Sequence, residues 1–107
     1  MSDCKTEPYL MLNGVKAVGD SRVVSDLPRT KSFNVALRGT GVLHAKVVLK
    51  GSNINKPYAY VDLVTITMDG NTLLTDSGIH DGPWSFYKFT VVELSGTNAS
   101  IDAAMGA

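Results

Sequence analysis

Apolar and polar residues alternate most cleanly in the middle of the chain. Phe33, Val35 and Leu37 alternate with Asn34, Ala36 and Arg38, and Leu43, Ala45, Val47 and Leu49 with His44, Lys46, Val48 and Lys50. A period of two places successive side chains on opposite faces of an extended chain, so both stretches predict strands with one dry and one wet face. Gly39-Thr40-Gly41 between them predicts a turn. The polar stretch Gly51 to Pro57 predicts a loop, and Tyr58 to Met68, rich in Val, Ile, Leu, Thr and Tyr, predicts a further strand. Asp69-Gly70-Asn71 carries the residues of a tight turn, so residues 64–75 read as a hairpin. A loop over Asp76 to Pro83 leads into Trp84 to Val92, a strand with aromatics on both faces and therefore expected to be central. Ser95-Gly96-Thr97-Asn98 predicts a turn into a last strand, where Ile101, Ala103 and Met105 share a side.

Residues 1–31 are less regular. Leu10–Leu12 and Val15–Val18 flank Asn13-Gly14, a hairpin-turn pair, and Val23-Val24 suggests a short strand. Asp26–Lys31, with Pro28, reads as a loop or edge connection. No segment keeps a helical period. About eight short strands joined by Gly, Asn and Asp turns predict an all-β chain, an antiparallel β-sandwich of jelly-roll-like form. Residues 1–107 read as a single domain, with 1–31 a less regular N-terminal arm suited to reaching over a partner.

Composition narrows the function. Ten basic residues balance ten acidic ones and are scattered, so the concentrated positive footprint of a nucleic-acid or membrane-surface binder is missing. The first residues, MSDCKTEPYLML, lack the apolar core of a signal peptide, and no apolar run approaches the roughly 18 residues of a membrane span. Folding in a cytoplasm is expected. The lone Cys4 forms no internal disulfide framework and reads as a bystander near the terminus.

Catalytic chemistry finds little support. His80 and Asp81 are neighbours, but Ser77 and Ser85 lack the strained elbow of a nucleophile, and His44 belongs to a strand's wet face. Asp69, Asn71, Asp76 and Asp81 offer hard oxygen ligands in an order that is not a calcium loop, and one Cys with two distant His makes no zinc set. No spacing selects a catalytic pair among Asp62, Asp69, Asp76, Asp81 and Glu93. Tyr58, Tyr60, Trp84, Phe86 and Tyr87 would suit a sugar platform, and core packing explains them equally well. The expectation is a non-enzyme with no catalytic, cofactor or metal residues.

Several short patterns carry a resemblance. Gly51-Ser52-Asn53 follows a strand, and Val61-Asp62-Leu63-Val64-Thr65-Ile66-Thr67 comes next. Pro83-Trp84 then opens an aromatic strand, and Leu94-Ser95-Gly96-Thr97-Asn98-Ala99-Ser100-Ile101 precedes a C-terminus of small residues. From Gly39 to Ala107 the chain resembles small structural proteins of tailed bacteriophages, most of all their capsid decoration, or cement, proteins. Ile54-Asn55-Lys56-Pro57 stands where that pattern has Asp-Gly-x-x-Trp. The resemblance implies a jelly-roll-like sandwich on the outer shell of the virion, binding the major capsid protein and tying its subunits together. A homo-oligomer, a trimer at shell threefold positions, is the natural symmetric form. A tail or host-binding component, or a carbohydrate-binding module, are the other readings.

Overall fold

The computed structural model describes residues 9–25, 27 and 29–106. Cys4, Pro8, Asp26 and Pro28 lie outside them. Three short strands, β1 (Tyr9–Val15), β2 (Gly19–Asp20) and β3 (Val24–Ser25), precede three long ones, β4 (Thr30–Ser52), β5 (Val61–Asp81) and β6 (Phe86–Gly106). A single 3-10 turn, Pro57–Ala59, is the only helical element among the described residues. All pairing is antiparallel. The order is β1-β6-β4-β5, and β2 and β3 also lie along β6 on the β1 side. The protein is all-β, as the alternation predicts, and the aromatic strand is central.

The long strands fold over. A straight 23-residue strand would span about 76 Å at ~3.3 Å per residue, yet the longest dimension of the molecule is 40 Å and the shortest 19 Å. Phe33 and Phe89 meet edge to face with centroids 6.2 Å apart, although Phe89 pairs with Leu49, far along β4 from Phe33. Each long strand therefore serves two facing layers. The first layer holds residues 9–15, 99–106, 30–38 and 73–81, and the second holds 19–25, 86–95, 42–52 and 61–71.

This arrangement corrects the predicted turns. Gly39-Thr40-Gly41, Gly70-Asn71 and Gly96-Thr97-Asn98 do not reverse the chain: they sit at one level, where all three long strands bend together. Thr40 faces Thr97 and Leu43 faces Gly70 across that corner. Residues 64–75 are one strand rather than a hairpin, residues 76–81 are strand rather than loop, and the last two expected strands are both β6. The physical cause is shared chemistry, since the residues that tolerate a reversal also tolerate a sharp bend inside a strand. Asn13-Gly14 is likewise a bulge within β1. Leu12 pairs with Ala103 and Val15 with Ile101, which leaves one extra residue on β1, and Gly14 takes a φ of 62° there. The true reversal between β4 and β5 is the predicted loop after Ser52. Its Ser52 hydroxyl donates to the Ile54 carbonyl at 2.7 Å and accepts from the Ile54 amide at 3.0 Å.

The core lies between the layers. Phe33, Val35 and Leu37 from the first layer meet Leu43, Ala45, Val47 and Leu49 from the second, with Tyr87, Phe89, Val91, Ile101 and Met105 of β6, all buried. Inward parity survives the corner because Gly39 takes the next inward position. A Cβ there would lie 2.7 Å from Leu43 Cδ2 and 3.0 Å from the Thr97 carbonyl oxygen.

Candidate interaction surfaces

With the apolar face of each layer turned inward, the two outer faces and the edges are what the molecule presents to its surroundings. No concave pocket opens among the described residues.

The second layer's outer face is charged and neutralises itself. His44 stands on β4 between Asp69 of β5 and Glu93 of β6. Its Nδ1 lies 2.5 Å from Asp69 Oδ1 and its Nε2 2.6 Å from Glu93 Oε1. Hydrogen bonds first to Glu93 and then to Asp69 hold its pKa above the usual histidine value. The imidazolium donates from both nitrogens, so one charged ring joins three strands. Nearby, the Lys88 ammonium is buried. It donates to Asp20 Oδ2 at 2.9 Å and sits 4.4 Å from the centre of the Tyr60 ring. Asp20 also accepts from the Thr90 hydroxyl at 2.7 Å, and its carboxyl is held below the ordinary range, chiefly by Lys88. Val48 is buried on this face as well, so the predicted wet side of residues 43–50 is partly covered.

The first layer's outer face is smooth. Ser32, Asn34, Ala36 and Arg38 of β4 stand beside Ile79, Ser77, Thr75 and Leu73 of β5 and, on the other side, beside Gly106, Ala104, Asp102 and Ser100 of β6. The only charges among these twelve residues are Arg38 and Asp102, which pair at 2.9 Å. Small side chains dominate, and Leu73, Ile79 and Leu10 are exposed at its margins, Ile79 by 73%. Directly opposed residues share a face, so Leu10, opposite Ala104, belongs to this surface too.

The candidate catalytic groups do not assemble. Asp81 faces away from His80 and binds Arg29 Nε at 3.0 Å and the Thr30 hydroxyl at 3.3 Å. His80 packs edge to face on Tyr87, and its buried Nε2 has no hydrogen-bond partner among the described residues. Burial, and then the nearby Lys31 charge, push its pKa down. Ser85 donates to Asn53 Oδ1, and Ser77 lies on the smooth outer face. Asp69, Asn71, Asp76 and Asp81 are strung along β5 rather than converging, and no group of three potential metal ligands forms among the described residues. The aromatics disperse as well. Tyr87 is wholly buried, Tyr58 is 84% exposed, Tyr60 lies over Lys88, and Trp84 is half-buried over Gly51.

Lys31 escapes sequence reading altogether. It falls on an inward position of β4, and its ammonium, fully buried, donates to the carbonyls of Arg29 (2.7 Å) and Gly82 (3.0 Å) and to Tyr87 Oη (2.9 Å). Tyr87 Oη in turn donates to the Gly82 carbonyl at 2.8 Å and accepts from the Trp84 amide at 3.2 Å. These bonds fasten the connection from β5 to β6 onto the start of β4. The visible signal was a lysine breaking the apolar parity just before Phe33, which alternation alone assigns to a loop.

Comparison of the chain with protein-family models, with curated proteins and with solved structures returns no match.

Proposed function

We propose that this chain is a structural protein of a tailed-phage virion, a decoration or cement protein that binds the major capsid protein on the outer shell as a homo-oligomer, a trimer by the symmetry of the shell. The observation that favours a docking role is the contrast between the outer faces. One is charged, internally paired and partly covered, and the other is smooth, almost uncharged and edged by exposed Leu10, Leu73 and Ile79. A flat face of small side chains can approach another protein closely without stranding a charge. The phage setting rests on the resemblance of residues 39–107.

A cement protein acts by mass action. Binding the assembled shell and not free subunits stabilises the shell by the differential binding energy, repeated over many copies. Adding the purified protein to undecorated phage capsids should give saturable binding and a higher temperature of capsid disruption. No binding at micromolar concentration overturns the proposal. Localisation in virions by electron microscopy separates a shell position from the tail.

A further inference from the structure

We propose that Asn13-Gly14 is a site of self-modification, in which the Asp102 carboxylate takes the proton of the Gly14 amide as that nitrogen closes on the Asn13 side chain and expels ammonia. The inference does not depend on the proposed shell role.

The sequence singles out the pair. Of six asparagines, Asn13 is the one followed by glycine, whereas Val, Ile, Lys, Thr and Ala follow the other five. A Cβ on the following residue crowds the approach of its nitrogen to the asparagine carboxamide, and glycine has none.

The fold leaves the pair open and supplies a base. Both residues fall between the register pairs Leu12–Ala103 and Val15–Ile101 of an outer strand, where the bulge frees them from one-to-one pairing. Asn13 is exposed, and its carboxamide makes no hydrogen bond among the described residues. Gly14 has a φ of 62°, and nothing lies within 4 Å of the position a Cβ would take. Its amide donates to Asp102 Oδ1 at 2.7 Å, while Arg38 Nη2 holds Asp102 Oδ2 at 2.9 Å. Arg38 of β4 thus fixes a carboxylate of β6 on the one proton the reaction must remove. A base already in contact replaces an encounter with hydroxide from solution.

The step balances without an oxidant or reductant. A bond forms between the Gly14 nitrogen and Asn13 Cγ, and the bond from Cγ to Nδ2 breaks. The Gly14 proton passes through Asp102 to the leaving amine, which departs as ammonia and leaves a succinimide ring. Water then opens the ring. Attack at the side-chain carbonyl gives aspartate, and attack at the main-chain carbonyl gives an isoaspartyl linkage with one more backbone carbon. Either product adds a negative charge one residue from the Asp102 contact, where Arg38 and Asp102 otherwise neutralise each other.

The test follows the peptide containing Asn13 by mass spectrometry while the folded chain stands in buffers from about pH 6 to 8, a range in which carboxylates as a class are ionised. The peptide should gain the small mass of an amide becoming an acid, at a rate nearly constant across the range. Unfolding the same chain in urea breaks the Asp102 contact, so hydroxide drives the reaction and the rate should climb about tenfold per pH unit. Asp102→Asn keeps an acceptor for the Gly14 amide but removes the base. Shown to be folded by circular dichroism, this variant should react at least about tenfold more slowly than the natural chain near pH 6. The proposal is overturned by a folded natural chain whose rate climbs in parallel with the unfolded one, or which reacts more slowly than the unfolded chain at pH 6. A folded Asp102→Asn that matches the natural rate overturns it too. The first two measurements need no variant, so the test stands even where the substitution prevents folding.

Discussion

His44 meets two carboxylates that are 25 and 49 residues away in the chain, one on each neighbouring strand. Alternation placed His44 on an outer face, but which acids it meets depends on strand register, which no local pattern encodes. The clamp makes stability depend on pH with a definite sign. The folded pKa of His44 is raised above 6.5, so the folded state binds the proton more tightly than the unfolded chain. The stabilisation is fully present below pH 6.5 and is lost as pH rises through the raised value. Beside the two clamping carboxylates, Lys46 stands opposite Glu93 in register. His80 works in the opposite sense, because its lowered pKa gives stability that is present above pH 6.5 and lost as pH falls. Comparing the natural chain with His44→Gln cancels the His80 contribution. The gap between their urea midpoints should be widest near pH 6 and should narrow steadily toward pH 9; parallel profiles would rule the clamp out.

At the scale of the element, the corner decides how three strands can each serve two layers. Strand identity and inward parity were legible for residues 33–37, 43–49 and 101–105, since each buries the side that alternation names. The glycine and asparagine clusters were equally visible, and their meaning was not: a reversal and a corner ask for the same backbone freedom. Only pairing on both sides of the corner distinguishes them, with Arg38 opposite Leu73 before it and Val42 opposite Asn71 after it. Two corner glycines separate the demands of the bend. Gly41 has a φ of 77° and open space at its Cβ position, so Gly41→Ala adds only backbone strain, about 1–2 kcal/mol. Gly96 has a φ of 129°, and a Cβ there would lie 2.5 Å from Leu43 Cδ2 and 3.1 Å from the Val42 carbonyl oxygen. Gly96→Ala should therefore cost clearly more, about 3 kcal/mol or above, as strain and overpacking combine. Denaturant unfolding of both variants checks the order, and equal losses would mean that the corner has room to relax.

For the whole molecule, the consequence of folded strands is that neither layer is a separable unit. β4, β5 and β6 each run through both, so melting one layer releases the strands that build the other. The layers also share a single core, in which Phe33 packs on Phe89 and Lys31 reaches Tyr87 from the opposite layer. Unfolding should then be all-or-none even when damage is confined to one side. Leu37 is fully buried in the first layer, whereas Trp84 lies at the far end of the second, against Gly51. Leu37→Ala removes core contacts at a cost of about 2–5 kcal/mol, which for a chain of this size lowers the melting temperature by roughly 10 °C or more. Trp84 fluorescence reports only the second layer, and far-ultraviolet circular dichroism reports all strands. Both transitions should move down together and remain superimposed in the variant. A Trp84 transition that stays at the natural temperature while part of the dichroism melts early would mean that the second layer holds its fold alone, and that the corner is a hinge between two units rather than a bend within one.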